Sequence, residues 1–281
     1  MTVRIVTDST SGIDRSMAED LGISIIPQSV HFGANAFEDG VTITPDEFYE
    51  MLSASADLPR TSQASPGRFK DVYEELGRDA DGIVSIHISS RLSGTWNSAL
   101  LGASKSSSSC PIEVIDSRQA SMGLGLVVLA AADAARRGAD LEEVIVRARS
   151  VARRAQCMCL FETLGYLQKG GRIGRAQALM GSALKIKPMI IVRDGEVHPL
   201  GRSRTFARAL SNLKEAAREF APIESLAVSH STTPEIAREV ASDLNDMLPE
   251  GGKAYIARLG PALGVYAGPG AIEISLIQAE E

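Results

Sequence analysis

Residues 82–88 (Gly-Ile-Val-Ser-Ile-His-Ile) form a strand-like run that reads as buried, and it runs straight into Ser89-Ser90-Arg91-Leu92-Ser93-Gly94-Thr95 before a helical pattern begins. A strand of this kind needs cover on both faces, which points to a parallel sheet with helices on either side. The same order recurs around it. Residues 3–8 alternate apolar side chains and end in the polar cluster Thr7-Asp8-Ser9-Thr10-Ser11. Residues 23–32 are a second β-rich run, and residues 112–116 are another strand. Thr44-Pro45-Asp46-Glu47 is a capping box with proline at the first helical position, and Ser65-Pro66 starts a helix in the same way. Residues 122–137 read as a buried helix closed by Gly138.

The pattern changes after residue 160. Residues 164–187 are rich in glycine and cations. Residues 189–192 and 197–199 flank Asp194-Gly195, a hairpin turn signal. Amphipathic helices are expected over 205–220 and 234–248, around a strand at 225–230, with last strands at 254–257 and 271–277. The expected fold is therefore α/β in two domains, 1–160 with a mostly parallel sheet and 161–281 with a mixed sheet.

Charge and composition exclude several classes. A net charge of −6 argues against a general nucleic-acid binder. The longest apolar run, residues 122–132, is about half of the ~20 residues a membrane helix needs. The start lacks a signal-peptide pattern, so a cytoplasmic protein with no integral membrane segment is expected. Three cysteines do not make a disulfide framework. Cys157-Met158-Cys159 raises the question of a metal, but no further cysteine is near and the four histidines are scattered. The expectation is no metal and no cofactor, with both thiols in one strand on opposite faces.

The common catalytic signatures are missing: no phosphate loop, no dinucleotide fingerprint, no His-Glu-x-x-His and no nucleophile elbow. What remains is three hydroxyl-rich clusters at or near strand ends: residues 7–11, Thr61-Ser62-Gln63 and residues 89–95. Ligands of open α/β sheets bind outside the carboxyl ends of strands. Ser93-Gly94-Thr95 also opens a helix, where free amides favour an anion. Residues 163–192 contain no acidic side chain but carry Lys169, Arg172, Arg175, Lys185 and Lys187, a positive stretch in an acidic chain. Residues 260–270, rich in glycine and proline, read as a shaped loop with Tyr266 as its one large polar side chain.

Taken in order, Thr7-Asp8-Ser9-Thr10-Ser11, residues 61–66, residues 88–95, Asp116-Ser117, Leu167-Gln168-Lys169-Gly170-Gly171-Arg172-Ile173, Lys185-Ile186-Lys187-Pro188, Arg204-Thr205 and residues 260–270 resemble the DegV family, bacterial fatty-acid-binding proteins of the fatty acid kinase system. The resemblance implies a two-domain α/β/α architecture with a long-chain fatty acid between the domains. It implies that Thr61 and Ser93, with Gly94, Thr95 and Tyr266, hold the carboxyl group, and that the second domain forms much of the tail pocket. It further implies a separate ATP-dependent kinase subunit, related to dihydroxyacetone kinases, that makes an acyl phosphate for phospholipid metabolism. Arg204, with Arg202 and Arg172 near it in role, would serve phosphotransfer or docking of that kinase. The family usually has histidine where this chain has Tyr266. A phenol hydrogen-bonds a carboxyl group but carries no positive charge near neutral pH. A lipid carrier or sensor without phosphotransfer therefore stands as an alternative, as does a stand-alone acyl hydrolase or transferase using Ser93 or Asp8.

Overall fold

A computed structural model describes residues 1–180 and 186–280; Leu184 and Lys185 of the cation-rich stretch lie outside the described residues. The first half alternates strands and helices. In chain order it contains β1 (Val3–Asp8), α1 (Arg15–Leu21), β2 (Ile23–Ile26), β3 (Ser29–Phe32), β4 (Asn35–Glu38), α2 (Pro45–Ala54), β5 (Arg60–Ser62), α3 (Pro66–Leu76), β6 (Gly82–His87), α4 (Thr95–Lys105), β7 (Ile112–Asp116), α5 (Ser121–Arg136) and α6 (Leu141–Arg154). The second half contains β8 (Ala155–Leu160), α7 (Gly165–Lys169), a three-ten turn (Gly174–Leu179), β9 (Lys187–Arg193), β10 (Glu196–Ser203), α8 (Phe206–Arg218), β11 (Ile223–His230), α9 (Pro234–Asp243), β12 (Tyr255–Arg258), α10 (Pro261–Ala267) and β13 (Ile272–Gln278).

Among the described residues the strands form three sheets. The first has order β2-β1-β6-β7 and is parallel throughout. Its central strand β6 is buried at every position, as its apolar sequence requires. Phe69 and Tyr73 of α3 and Ala99 of α4 cover one face, while the α5 and α6 side chains Leu124, Val127, Val144 and Val151 cover the other. The second sheet has order β10-β9-β8-β13-β11-β12 and is mixed: the only parallel pair in that order is β11 with β12. Met158, Leu160, Ile191, Val228 and Ile274 point from it into a core closed by α8 and α9. A short antiparallel sheet, β4-β3-β5, packs beside α2 and α10.

Helix α5 lies between the two large sheets, touching β1 and β6 on one side and β8, β11 and β13 on the other. That is why residues 122–132 are apolar all round rather than along one stripe.

Four details differ from the sequence expectations. The run 23–32 is two strands in two sheets, because Pro27 has no amide to continue a ladder and the chain turns away there. Residues 260–270 are not all loop: Pro261 is the first residue of α10. The second sheet begins at Ala155 in β8, so the change of sheet precedes residue 160. Finally, Cys157 and Cys159 lie on the same face of β8, not on opposite faces, because side chains two apart in a strand point the same way.

Candidate functional site

The order β2-β1-β6-β7 makes the chain depart to opposite sides from β1 and β6, which leaves a crevice at their carboxyl ends. Thr10 enters this crevice from the turn after β1, Leu92 and Ser93 from the loop after β6, and Ser121 from the start of α5. The inner face of the second sheet closes it, with Cys157 and Cys159 of β8, Ile190 and Val192 of β9 and Glu273 of β13. The cavity has a volume of about 130 Å3.

One end of the cavity is polar and reaches the surface. Thr61, Arg172 and Tyr266 line both the cavity and an outer cleft that also holds Arg60 and Lys169. Thr61 sits on edge strand β5 and Tyr266 near the end of α10, and their hydroxyls hydrogen-bond at 2.5 Å. The guanidinium carbon of Arg172 stands 5.2 Å from the centre of the Tyr266 ring. Arg172 is fixed by donating from Nε to the Leu92 carbonyl at 3.2 Å and from Nη1 to the Gly170 carbonyl at 2.9 Å. The Tyr266 ring lies so close to Gly170 that a Cβ there would come within 2.5 Å of it. Glycine at 170 is thus required by space.

The other residues singled out in sequence fall into two groups. Ser93 lines the cavity and shares a 2.8 Å hydrogen bond with Thr95 Oγ1. Thr95 is buried, and its Oγ1 also accepts from Gln28 Nε2 at 3.0 Å, so its hydroxyl organises Ser93 and Gln28. Gly94 caps α4 without a side-chain bond, and a Cβ there would come within 2.8 Å of Gln63 Nε2; its absence makes room for Gln63, which lines the cavity. Arg202 and Arg204, at and beyond the end of β10, are exposed. The cation-rich stretch is partly neutralised by acids from outside it, with Arg175 paired to Glu196 at 3.4 Å and Lys187 to Glu162.

Cys157 and Cys159 are neutral walls. Burial, helped by the nearby Glu273 carboxyl, pushes both thiols well above their ordinary range. Among the described residues no group of three or more His, Cys, Asp or Glu is placed to hold a metal ion.

A Ser-His-Asp array lies close by. Ser85 Oγ is 2.7 Å from His87 Nε2, and His87 Nδ1 is 2.9 Å from Asp8 Oδ2. Burial alone would raise the Asp8 carboxyl, but its bonds with His87, Thr10 and the Ile88 amide hold it below its ordinary value. All three side chains are fully buried, and Tyr73 Oη occupies the Ser85 hydroxyl at 2.8 Å. No substrate reaches Ser85 in this arrangement; the array ties β1 to β6. Ser93, the half-buried alternative, is bonded to Thr95 and not to a histidine.

Fold and cavity together define an α/β protein with two large sheets and, at their junction, a mostly apolar cavity that is polar where it meets the surface. The sequence pattern described as "Uncharacterised protein, DegV family" matches residues 2–279, and the chain belongs to the DegV family. A DegV domain-containing protein of Streptomyces coelicolor is 35% identical over 276 residues, covering 97% of both chains. Solved structures agree in fold. A DegV family protein from Thermus thermophilus, described as fatty acid binding, has a TM-score of 0.91 at 30% identity, covering 99% of this chain and 100% of that one. DegV of Bacillus subtilis, described as a fatty acid binding protein, has a TM-score of 0.88 at 31% identity, with the same coverage. Among the described residues no helix is long and apolar enough to cross a membrane.

Proposed function

We propose that this protein binds a long-chain fatty acid, with the tail in the cavity and the carboxyl group at Thr61, Ser93 and Tyr266, and presents that group to a partner ATP-dependent kinase subunit for acyl phosphate formation. The observation that carries the reading is the cavity's polarity: mostly apolar walls inside, and two hydroxyls with a guanidinium where it meets the surface. A carboxylate entering between Thr61 and Tyr266 would accept a hydrogen bond from each hydroxyl, and Arg172 would supply the positive charge that a phenol lacks.

The energies favour the same division of labour. About fourteen methylenes at ~0.8 kcal/mol each offer roughly 11 kcal/mol on burial. Association costs at least ~4 kcal/mol. The ~7 kcal/mol left corresponds to a Kd near 10 μM from the tail alone. One or two charge-assisted bonds, about 1.5–3 kcal/mol each, would bring this to the nanomolar range and fix the carboxyl at the surface. The protein then needs no nucleophile or metal of its own, because the kinase brings ATP. Arg202 and Arg204, exposed at and just beyond the end of β10, would serve docking of that kinase.

Mass spectrometry of gently denatured protein is expected to release about one equivalent of a C14–C18 acid. The double variant Thr61→Ala, Ser93→Ala is expected to bind oleate at least tenfold more weakly. Protein that neither carries nor takes up fatty acid would overturn the reading. Tyr266 favours a second reading, a carrier or sensor without phosphotransfer. Mixing with a cognate kinase subunit, ATP and oleate separates the two, since acyl phosphate formation rules the second out.

A further inference from the structure

The inner part of the cavity is not uniformly apolar. Glu273 projects from β13 into it and is 3% exposed. Its Oε1 accepts from the Ser275 hydroxyl at 2.8 Å, from the Met122 amide at 3.3 Å and from the Ser229 hydroxyl at 3.4 Å. These bonds explain how a carboxyl group is tolerated there, at the start of α5. They do not explain Ser121. This residue lines the cavity and is 2% exposed; its Oγ makes no hydrogen bond of ordinary length and angle, and it bears on the Glu273 carboxyl, whose charged form it favours. It also holds a φ of 51°, an uncommon conformation for a residue with a side chain.

A saturated tail pressed against this pair would leave the Ser121 hydroxyl only its imperfect contact with Glu273. Resting on the fatty-acid reading above, we propose that the preferred ligand is a hydroxylated long-chain fatty acid, its chain hydroxyl held by Ser121 Oγ and Glu273 within the tunnel. A hydroxyl is the group that fits, because it donates and accepts at once. It can accept from Ser121 and donate to Glu273, or the reverse. A keto group only accepts. A second carboxylate would lose its hydration beside two side chains that carry no positive charge. An ammonium group would need an ionised partner, and burial works against that by pushing the Glu273 carboxyl above its ordinary range.

The test is a set of equilibrium binding measurements with delipidated protein and stearate, hydroxystearates bearing the hydroxyl at successive positions beyond carbon 6, and the matching oxostearates. At least one hydroxy isomer is expected to bind about tenfold more tightly than stearate and than its oxo counterpart. Ser121→Gly removes the hydroxyl while suiting the positive φ, so the fold is retained. It is expected to abolish most of that preference. Glu273→Gln is expected to weaken the preference as well. Stearate binding as tightly as every hydroxy isomer, or a preference untouched by Ser121→Gly, would overturn the inference and leave fatty-acid binding intact. Failure of all the acids to bind would overturn the fatty-acid reading and this one with it.

Discussion

Asp39 shows how one residue ties the site to pH. It is 5% exposed, accepts from Ser9 Oγ at 2.8 Å and from the Ala262 amide at 3.3 Å, and so joins the first sheet to α10, which carries Tyr266. Burial outweighs these bonds and raises its pKa from 3.8 to about 6. The folded state therefore holds the proton more tightly than the unfolded chain. The resulting stability is fully present below about pH 4 and is lost as pH rises to about 6, by roughly 3 kcal/mol in total. Asp39→Asn keeps an acceptor oxygen and removes the titration. Urea unfolding between pH 4 and 7 should show wild type losing stability relative to this variant as pH rises; a constant difference would mean that Asp39 does not titrate there. At this scale the sequence was a partial guide. Thr61, Ser93, Arg172 and Tyr266 stood out through their hydroxyl, charge or glycine-rich surroundings, and the structure brings them to one cavity. Asp39, Ser121 and Glu273 were not singled out. Each is a lone polar residue in an unremarkable stretch, and only tertiary packing buries it.

Elements were legible where a periodic apolar pattern coincided with a stop or start signal, as in β1, β6 and α5, or in α2, whose capping box is formed by Thr44 and Glu47. Helix α6 carries a start signal in Asp140 and Glu143, which form a capping box, and α1 carries one in Asp14, whose side chain accepts from the Met17 amide. Strand β5 had none, since Arg60–Ser62 is too short to show a period. Helix pairing is a further level that no single segment displays. Where α3 crosses α4, a Cβ on Gly102 would come within 2.5 Å of Phe69 Cβ and 2.9 Å of the Pro66 carbonyl. Propensity alone would make Gly102→Ala stabilising by about 0.5–1 kcal/mol. The obstacles are close to the backbone and cannot swing aside, so overpacking, typically about 1–3 kcal/mol, should win. Net destabilisation of roughly 1–2 kcal/mol is expected in chemical denaturation; a more stable variant would show that the two helices separate at little cost.

At the scale of the whole molecule, the cavity is built by both large sheets and by α5 between them, so ligand and fold are thermodynamically linked. A ligand that binds only the folded state stabilises it by RT ln(1 + [L]/Kd), about 2.7 kcal/mol at a hundredfold excess over Kd. A fatty acid and the alcohol of equal chain length then separate the two halves of the binding argument. Both bury the same tail, but only the acid offers a carboxylate to Thr61, Ser93, Tyr266 and Arg172. If the tail supplies most of the affinity, the alcohol should still raise the unfolding midpoint of delipidated protein. It should fall short of the acid at equal free concentration by about 1.5–3 kcal/mol for each charge-assisted bond lost. The gap should shrink in Thr61→Ala, Ser93→Ala while the response to the alcohol stays the same, because that variant leaves the apolar walls untouched. Equal stabilisation by acid and alcohol in wild type would instead place the carboxylate in water, away from the hydroxyls, and the surface end of the cavity would then have no part in orienting the ligand.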